Sequence, residues 1–361
     1  MKDVPEKLKI LVVDELDLFK RWLGGVGTVG GIETNHKNLM KGFKERGHTI
    51  VVNKEFPAGE KPDLIISPTY GPISIINIWR YKKKYDCACV QHAHTTPDDM
   101  KGGFLPAPIL PYVDIYLRQL YKFSELIITP SNFSKKSLLK LKIGPRPPIY
   151  PVSNGIDLQK FQYSDKRREE FREYLKKEHG IGLEKKVITC VSVIWERKGV
   201  DVFHAVAKAF PEHEFVWVGN YLTAKKIKEQ FDNLPNLTFT GFVDDVVAAY
   251  CGSDVFFFPS RAENQGIPLL EAAACKVPMV CRNLPTYDWL EHDKDCLKAN
   301  NTKEFKKYLQ DIIESNNLRE YLVKNALISL QQHDINKILD QVEGLYKRGI
   351  KIKNKLREMG R

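Results

Sequence analysis

The sequence predicts an α/β protein built from two doubly wound, parallel-sheet domains in tandem. Three observations predict it. Short β-branched or aromatic runs alternate with longer helical patterns over most of the 361 residues. The alternation restarts near the middle of the chain. Glycine clusters, paired histidines and charged triplets fall just after the expected strands, where open parallel sheets bind ligands.

In the first half, Lys9–Val13 reads as a strand. A helix follows over Thr34–Arg46, with Leu39, Met40 and Phe43 at helical spacing and Gly47 as its stop. Further strands are expected at His48–Val52, Asp63–Ile66, Cys87–Val90, Glu125–Thr129 and Pro148–Val152. The charged stretch Asp165–Gly182 reads as the join, with a boundary near residues 153–180. In the second half, strands are expected at Val187–Val191, Glu214–Val218, Leu237–Thr240, Val255–Phe258 and Pro278–Val280, with helices between, the first at Val200–Phe210.

Composition narrows the class. Apolar residues make up 43% and aromatics 11%, enough for two cores and too much for a disordered chain. No apolar run approaches the roughly 18 residues that span a bilayer, and the charged N-terminus does not read as a signal peptide, so a cytoplasmic chain is expected. Seven cysteines without zinc spacing read as buried thiols. The net charge of +11 is uneven: residues 1–150 carry 23 Lys+Arg against 15 Asp+Glu, and the remainder 33 against 30. A basic first half suits an anionic membrane face or a phosphorylated substrate. A nucleic-acid-binding protein is a distant alternative, since no helix-turn-helix, zinc finger or RNP signature is present.

Four loops carry candidate chemistry. After the strand Val255–Phe258, a polar loop holds Glu263, Asn264 and Gln265, and Gly266-Ile267-Pro268 starts a helix containing Glu271. Free amides of Gly266 and Ile267 at a helix N-terminus form an anion site, and two flanking carboxylates suit the gripping of sugar hydroxyls. After Val191, the run Trp195-Glu-Arg197-Lys198-Gly199 places two cations where a departing diphosphate would develop charge. The loop Gly24–Gly31 lets backbone approach a phosphate or sugar, although it fits G-x-G-x-x-G poorly. Gln91-His92-Ala93-His94 places two histidines at a strand end. They suit a sugar hydrogen bond or a reacting hydroxyl, or a metal pair lacking a visible third ligand.

Taken together, these residues resemble the family 4 retaining glycosyltransferases of the GT-B fold over nearly the whole chain. The matching segments are Gly30–Glu33, His92–Thr95, Pro130–Asn132, Val152–Asp157, Glu196–Gly199, Phe239–Phe242 and, most specifically, Glu263–Glu271. The resemblance implies two Rossmann-like domains facing a central cleft. Residues 1–155 would form the acceptor side, 156–340 the nucleotide-sugar side, and 341–361 a basic helix packing toward the first domain. It implies that Gly30 and Gly31 approach the donor phosphate or sugar. His94 would lie under the donor sugar, and Arg197 and Lys198 would neutralise the diphosphate. Glu263 would contact the sugar with the Gly266 and Ile267 amides. Glu271 would hold the ribose, and Phe242 and Val243 would lie near the base. It implies reaction without a protein nucleophile, metal ion or cofactor. Where many members have Gly-Arg, this chain has Ser192-Val193, leaving Arg197 to carry more of the phosphate charge.

Several details resemble the diacylglycerol glucosyltransferase branch: His92–Thr96, Trp195–Gly199, Phe256–Ser260, Glu263–Gly266 and Pro285–Trp289. The expected partners are a nucleotide sugar, UDP-linked, and a membrane lipid at the inner face of the cell membrane, without nucleic acid. Ser134–Lys142 mixes leucine and lysine as an interfacial helix would, and Phe104–Tyr112 is an apolar loop suited to an acyl chain. A relative acting on a saccharide or small polar acceptor is the alternative.

Overall fold

The computed structural model describes residues 4–22, 31–98, 107–141, 147–220 and 225–360. The chain forms two compact units, residues 1–155 with 335–361, and residues 156–334.

In the first unit the order is β1 (Lys9–Val12), α1 (Glu15–Trp22), α2 (Gly31–Glu45), β2 (Thr49–Val52), β3 (Leu64–Ser67), α3 (Pro72–Tyr85) and β4 (Ala88–His92). A 3-10 turn at Ala107–Tyr112 then leads into α4 (Val113–Tyr121), β5 (Leu126–Thr129), α5 (Asn132–Leu139) and β6 (Ile149–Pro151). The sheet is parallel, in the order β2-β1-β3-β4-β5-β6. Its strands are apolar on both faces because both are covered. Leu39, Phe43, Val90 and Leu126 fill one side, and Ile78, Tyr81, Leu117 and Leu120 fill the other.

The second unit runs α6 (Asp165–His179), β7 (Val187–Val191), a 3-10 turn at Glu196–Lys198, α7 (Val200–Ala207), β8 (Glu214–Val218), α8 (Lys225–Phe231), β9 (Leu237–Gly241) and α9 (Val246–Cys251). It continues with β10 (Val255–Phe258), α10 (Ile267–Ala274), β11 (Met279–Arg282), β12 (Leu297–Ala299), α11 (Thr302–Glu314) and α12 (Asn316–Leu330). The order β12-β11-β10-β7-β8-β9 is again parallel and reverses direction between β7 and β10. Phe256, Phe257 and Phe258 are fully buried on β10, and Phe203 and Phe305 pack on Phe257.

Three expectations change. The charged stretch at 165–182 is not a loose join: Ser164 caps α6, and Phe171 and Leu175 bury its inner face. Arg168 and Arg172 both bind Asp254 at the foot of β10, which holds the helix in the second unit. The far boundary falls at residue 334 rather than 340, because α13 (Ile335–Glu358) is one uninterrupted helix packed entirely in the first unit. Ile338, Leu339, Val342, Tyr346 and Ile350 enter the core beside β4. Gly349 is required there, since a Cβ would stand 2.7 Å from Val90 Cγ2. Finally, the leucines of Ser134–Lys142 face inward. Leu138 and Leu141 are core residues, so α5 is an ordinary surface helix and not an interfacial one.

Candidate functional site

The second unit carries its candidate residues at the sheet's reversal point. Lys198 closes the 3-10 turn after β7, and Glu263 lies in the loop after the neighbouring β10. The two loops are stitched together: Arg261 N donates to Arg197 O at 2.8 Å, and Arg261 Nη1 donates to Glu196 O at 2.6 Å. Lys198 Nζ lies 2.5 Å from Glu263 Oε1, and both side chains are only 12% exposed. Ser260 Oγ donates to the same carboxylate oxygen at 2.7 Å. Such a partly desolvated, doubly held pair keeps its geometry where an exposed pair would not.

The helix α10 begins beside Glu263. Its N-cap, Gly266, has φ 78° and no side-chain cap. That left-handed conformation favours glycine, and any Cβ would sit 2.6 Å from the Tyr287 ring. Asn264 and Ile267 are half-buried and Gln265 is buried, so Glu263–Ile267 forms one wall beside Lys198. Arg197 is half-buried and its Nη1 reaches Ala262 O at 3.4 Å. Glu271 is not on a solvated face. Tyr250 OH donates to its Oε2 at 2.6 Å, and burial raises its carboxyl to about 7 against the pull of Tyr250 and Lys160. Phe242 and Val243 stand after β9, at the sheet edge, with Phe242 68% exposed. Ser192 accepts a hydrogen bond from Trp217 Nε1 at 2.8 Å.

The first unit holds a different arrangement. Gly31 is the first residue of α2, and Gly30 lies outside the described residues. His92 ends β4, and His94 follows with its ring stacked on His92 at 6.1 Å. A pocket at the carboxyl ends of β4, β5 and β6 is lined by Asn35, His92, His94, Thr129, Ser153 and Asn154 among others. His36 closes the cluster, 6.5 Å from His92. Burial is the main cause that lowers all three histidines, His36 to about 3 and His94 to about 4. His92 Nε2 is 2.7 Å from Tyr346 OH on α13. The three rings are neutral at working pH. Among the described residues no group of three His, Cys, Asp or Glu is placed to hold a metal ion.

Ser260 and Tyr287 lie inside the matching segments Phe256–Ser260 and Pro285–Trp289, but the sequence assigns them no role, and Tyr250, His36 and Tyr346 lie in none of the matching segments above. Ser260 stands three residues from Glu263, in the same loop. Tyr250, Tyr287, His36 and Tyr346 reach the sites by tertiary packing.

Two family models match the chain: "Glycosyltransferase Family 4" over residues 53–160 and "Glycosyl transferases group 1" over residues 171–328. The chain is 33% identical over 284 residues to the processive diacylglycerol alpha-glucosyltransferase of Acholeplasma laidlawii, covering 76% of this chain and 83% of that protein. It is 27% identical over 383 residues to the alpha-monoglucosyldiacylglycerol synthase of the same organism, covering 88% and 93%. Among solved structures, Anabaena HepE in complex with UDP and glucose superposes with a TM-score of 0.74 at 19% identity, covering 94% of this chain and 99% of that one. That likeness shows the fold, GT-B.

Proposed function

Because the chain belongs to glycosyltransferase family 4, in its diacylglycerol glycosyltransferase branch, and is a hexosyltransferase, we propose that it moves a hexose from a UDP-linked donor to diacylglycerol or a similar membrane lipid. The product is an α-glycoside, and the enzyme works as a peripheral protein on the cytoplasmic face of the membrane. The observation that carries the reading is the Lys198–Glu263 pair at the sheet's reversal point, beside the uncapped start of α10.

A departing diphosphate gains negative charge as its bond to the sugar breaks. Lys198 and Arg197 supply fixed positive charge, and the Gly266 and Ile267 amides add helix-terminal donors. Glu263 accepts from sugar hydroxyls while Lys198 turns to the phosphate. Glu271 holds the ribose, Asn264 and Gln265 complete the donor wall, and Phe242 and Val243 flank the base. Gly30 and Gly31 bring backbone close to the donor. In the first unit, His94 supports the donor sugar as a neutral hydrogen-bonding group. The bond from C1 to the phosphate oxygen breaks while a bond from C1 to the acceptor oxygen forms on the same face. The acceptor proton passes to the departing phosphate oxygen, so no protein nucleophile is required. The cationic side chains supply the charge that a divalent ion would otherwise provide, which makes metal-independent transfer part of the proposal.

The test is incubation with radiolabelled UDP-glucose and vesicles containing diacylglycerol, with and without EDTA. A chloroform-soluble glycolipid that forms equally in both supports the reading. No lipid product from UDP-, GDP- or ADP-sugars with diacylglycerol or monoglucosyldiacylglycerol overturns it. A product that disappears in EDTA overturns only the metal-independent route.

A further inference from the structure

The helices α3 and α4 connect consecutive parallel strands, β3 to β4 and β4 to β5. They therefore lie on the same face of the first sheet and run in the same direction. Their inner residues share one core, and Tyr116 OH on α4 bonds Tyr70 O just before α3. Their outer faces carry the same gradient. On α3 the exposed stripe reads Ile73, Ile76, Trp79, then Arg80, Lys83 and Lys84. Leading into and along α4 it reads Ile109, Tyr112, Ile115, then Arg118 and Lys122. Trp79 and Tyr112 are 54% and 65% exposed. Lys83 Nζ stands 5.5 Å from the Trp79 ring centre. Among the described residues, the acidic groups on this face are few. Glu55 pairs with Arg80 and Lys84, and Asp114 is half-buried on α4.

Both apolar ends are helix N-terminal ends, so they lie at the carboxyl edge of the sheet, the edge where the His92–His94 pocket opens. Scattered exposed apolar residues need no explanation, but six converging at one edge, backed by a basic band, do. We propose that this two-helix face is the surface by which the chain lies on an anionic bilayer. The isoleucines, Trp79 and Tyr112 enter the acyl boundary, and Lys83, Arg118 and Lys122 rest at the phosphates. This rests on the lipid-acceptor reading and adds an orientation to it. The pocket edge faces the membrane, so an acceptor headgroup reaches the first unit's pocket while its chains stay in the bilayer.

The experiment uses the full chain and vesicles of phosphatidylcholine with or without phosphatidylglycerol. It compares wild type with Ile76→Glu/Trp79→Glu, Ile73→Glu/Ile115→Glu and Lys83→Glu/Lys122→Glu. All six positions are exposed, and thermal unfolding checks that each variant folds. Each apolar pair is expected to lower vesicle binding at least about tenfold at every salt concentration, and the lysine pair to remove only the salt-sensitive part. Transfer to a short-chain diacylglycerol dispersed in detergent is expected to stay within about twofold of wild type, since that acceptor needs no docking. Variants that bind vesicles as wild type does overturn this surface while leaving the lipid reading intact. A wild-type chain that glycosylates dispersed acceptor without binding vesicles overturns membrane docking altogether. Loss of self-association with unchanged vesicle binding overturns the proposal in favour of an interface between copies.

Discussion

The two units use the same sheet edge in opposite electrical styles. In the second, Lys198, Glu263, Arg197 and Arg261 hold charge in a network of bonds between 2.5 and 3.4 Å long. In the first, His36, His92 and His94 are kept neutral by burial. The contrast fits a division of labour. A diphosphate needs fixed countercharge, whereas a hydroxyl acceptor and a sugar ring need donors and acceptors that do not compete with water or attract stray ions. Under the proposed transfer, fixed charge stands where charge would develop, and a dry neutral surface where a neutral group would react.

Lys198→Ala should break the comparison most severely. It removes the countercharge and leaves Glu263 without its main partner, so kcat should fall about 100- to 1000-fold, measured as glycolipid formed at saturating donor. His94→Ala should cost less in kcat, about 10- to 100-fold, because a neutral hydrogen bond is lost rather than a countercharge. Equal losses would mean that the two units do not differ as described.

The pH response should separate them next. The depressed histidines leave the first unit at full stability above their ordinary value near 6.5, and that stability is lost progressively as pH falls from there through about 4 and then about 3. Glu271 works in the other direction. Its folded value, about 7, lies above the ordinary 4.5, so its contribution is full below 4.5 and lost as pH rises through about 7. Acid should therefore loosen the first unit, and mild alkali the donor-free second unit. Hydrogen exchange at pH 4.5 and 8 reads both. Glu271→Gln should abolish the alkaline trend, and should flatten any rise in donor affinity across pH 7.

The smallest effect should come from Tyr346→Phe. It removes one hydroxyl and with it the bond that His92 Nε2 makes to Tyr346 in a buried site, so activity should fall several-fold. A shift in the acidic limb of the pH–kcat profile with little change in donor KM would show that Tyr346 acts by fixing the histidine ring. Loss of stability without that shift would assign it to packing alone.

The sequence was most legible where chemistry and local order coincide. Glu263–Glu271 follows a buried strand and opens a helix within nine residues, so the strand end, glycine and proline announce the site together. β10 and β8 match their expected bounds because β10 is a continuous apolar run and β8 is one after its first residue, Glu214. Legibility fails where a contact spans the chain: His36, His92 and Tyr346 meet across more than 300 positions, and Tyr250 meets Glu271 from another helix. β12 was missed because three residues, Leu297–Ala299, are too few to show a period. The helix α6 was misread because only Phe171, Arg172 and Leu175 turn inward along a surface of charges.

The last helix also has a temporal consequence. The second unit is one continuous stretch whose ends meet, with Ile156 N bonded to His333 O at 2.8 Å. It can close as soon as residue 334 has left the ribosome. The first unit, begun earlier, must wait for α13 to cover Leu39, Phe43, Val90 and Leu126. During synthesis the half that starts first finishes last, and its uncovered apolar face is the part of the nascent chain that most needs a chaperone's shelter.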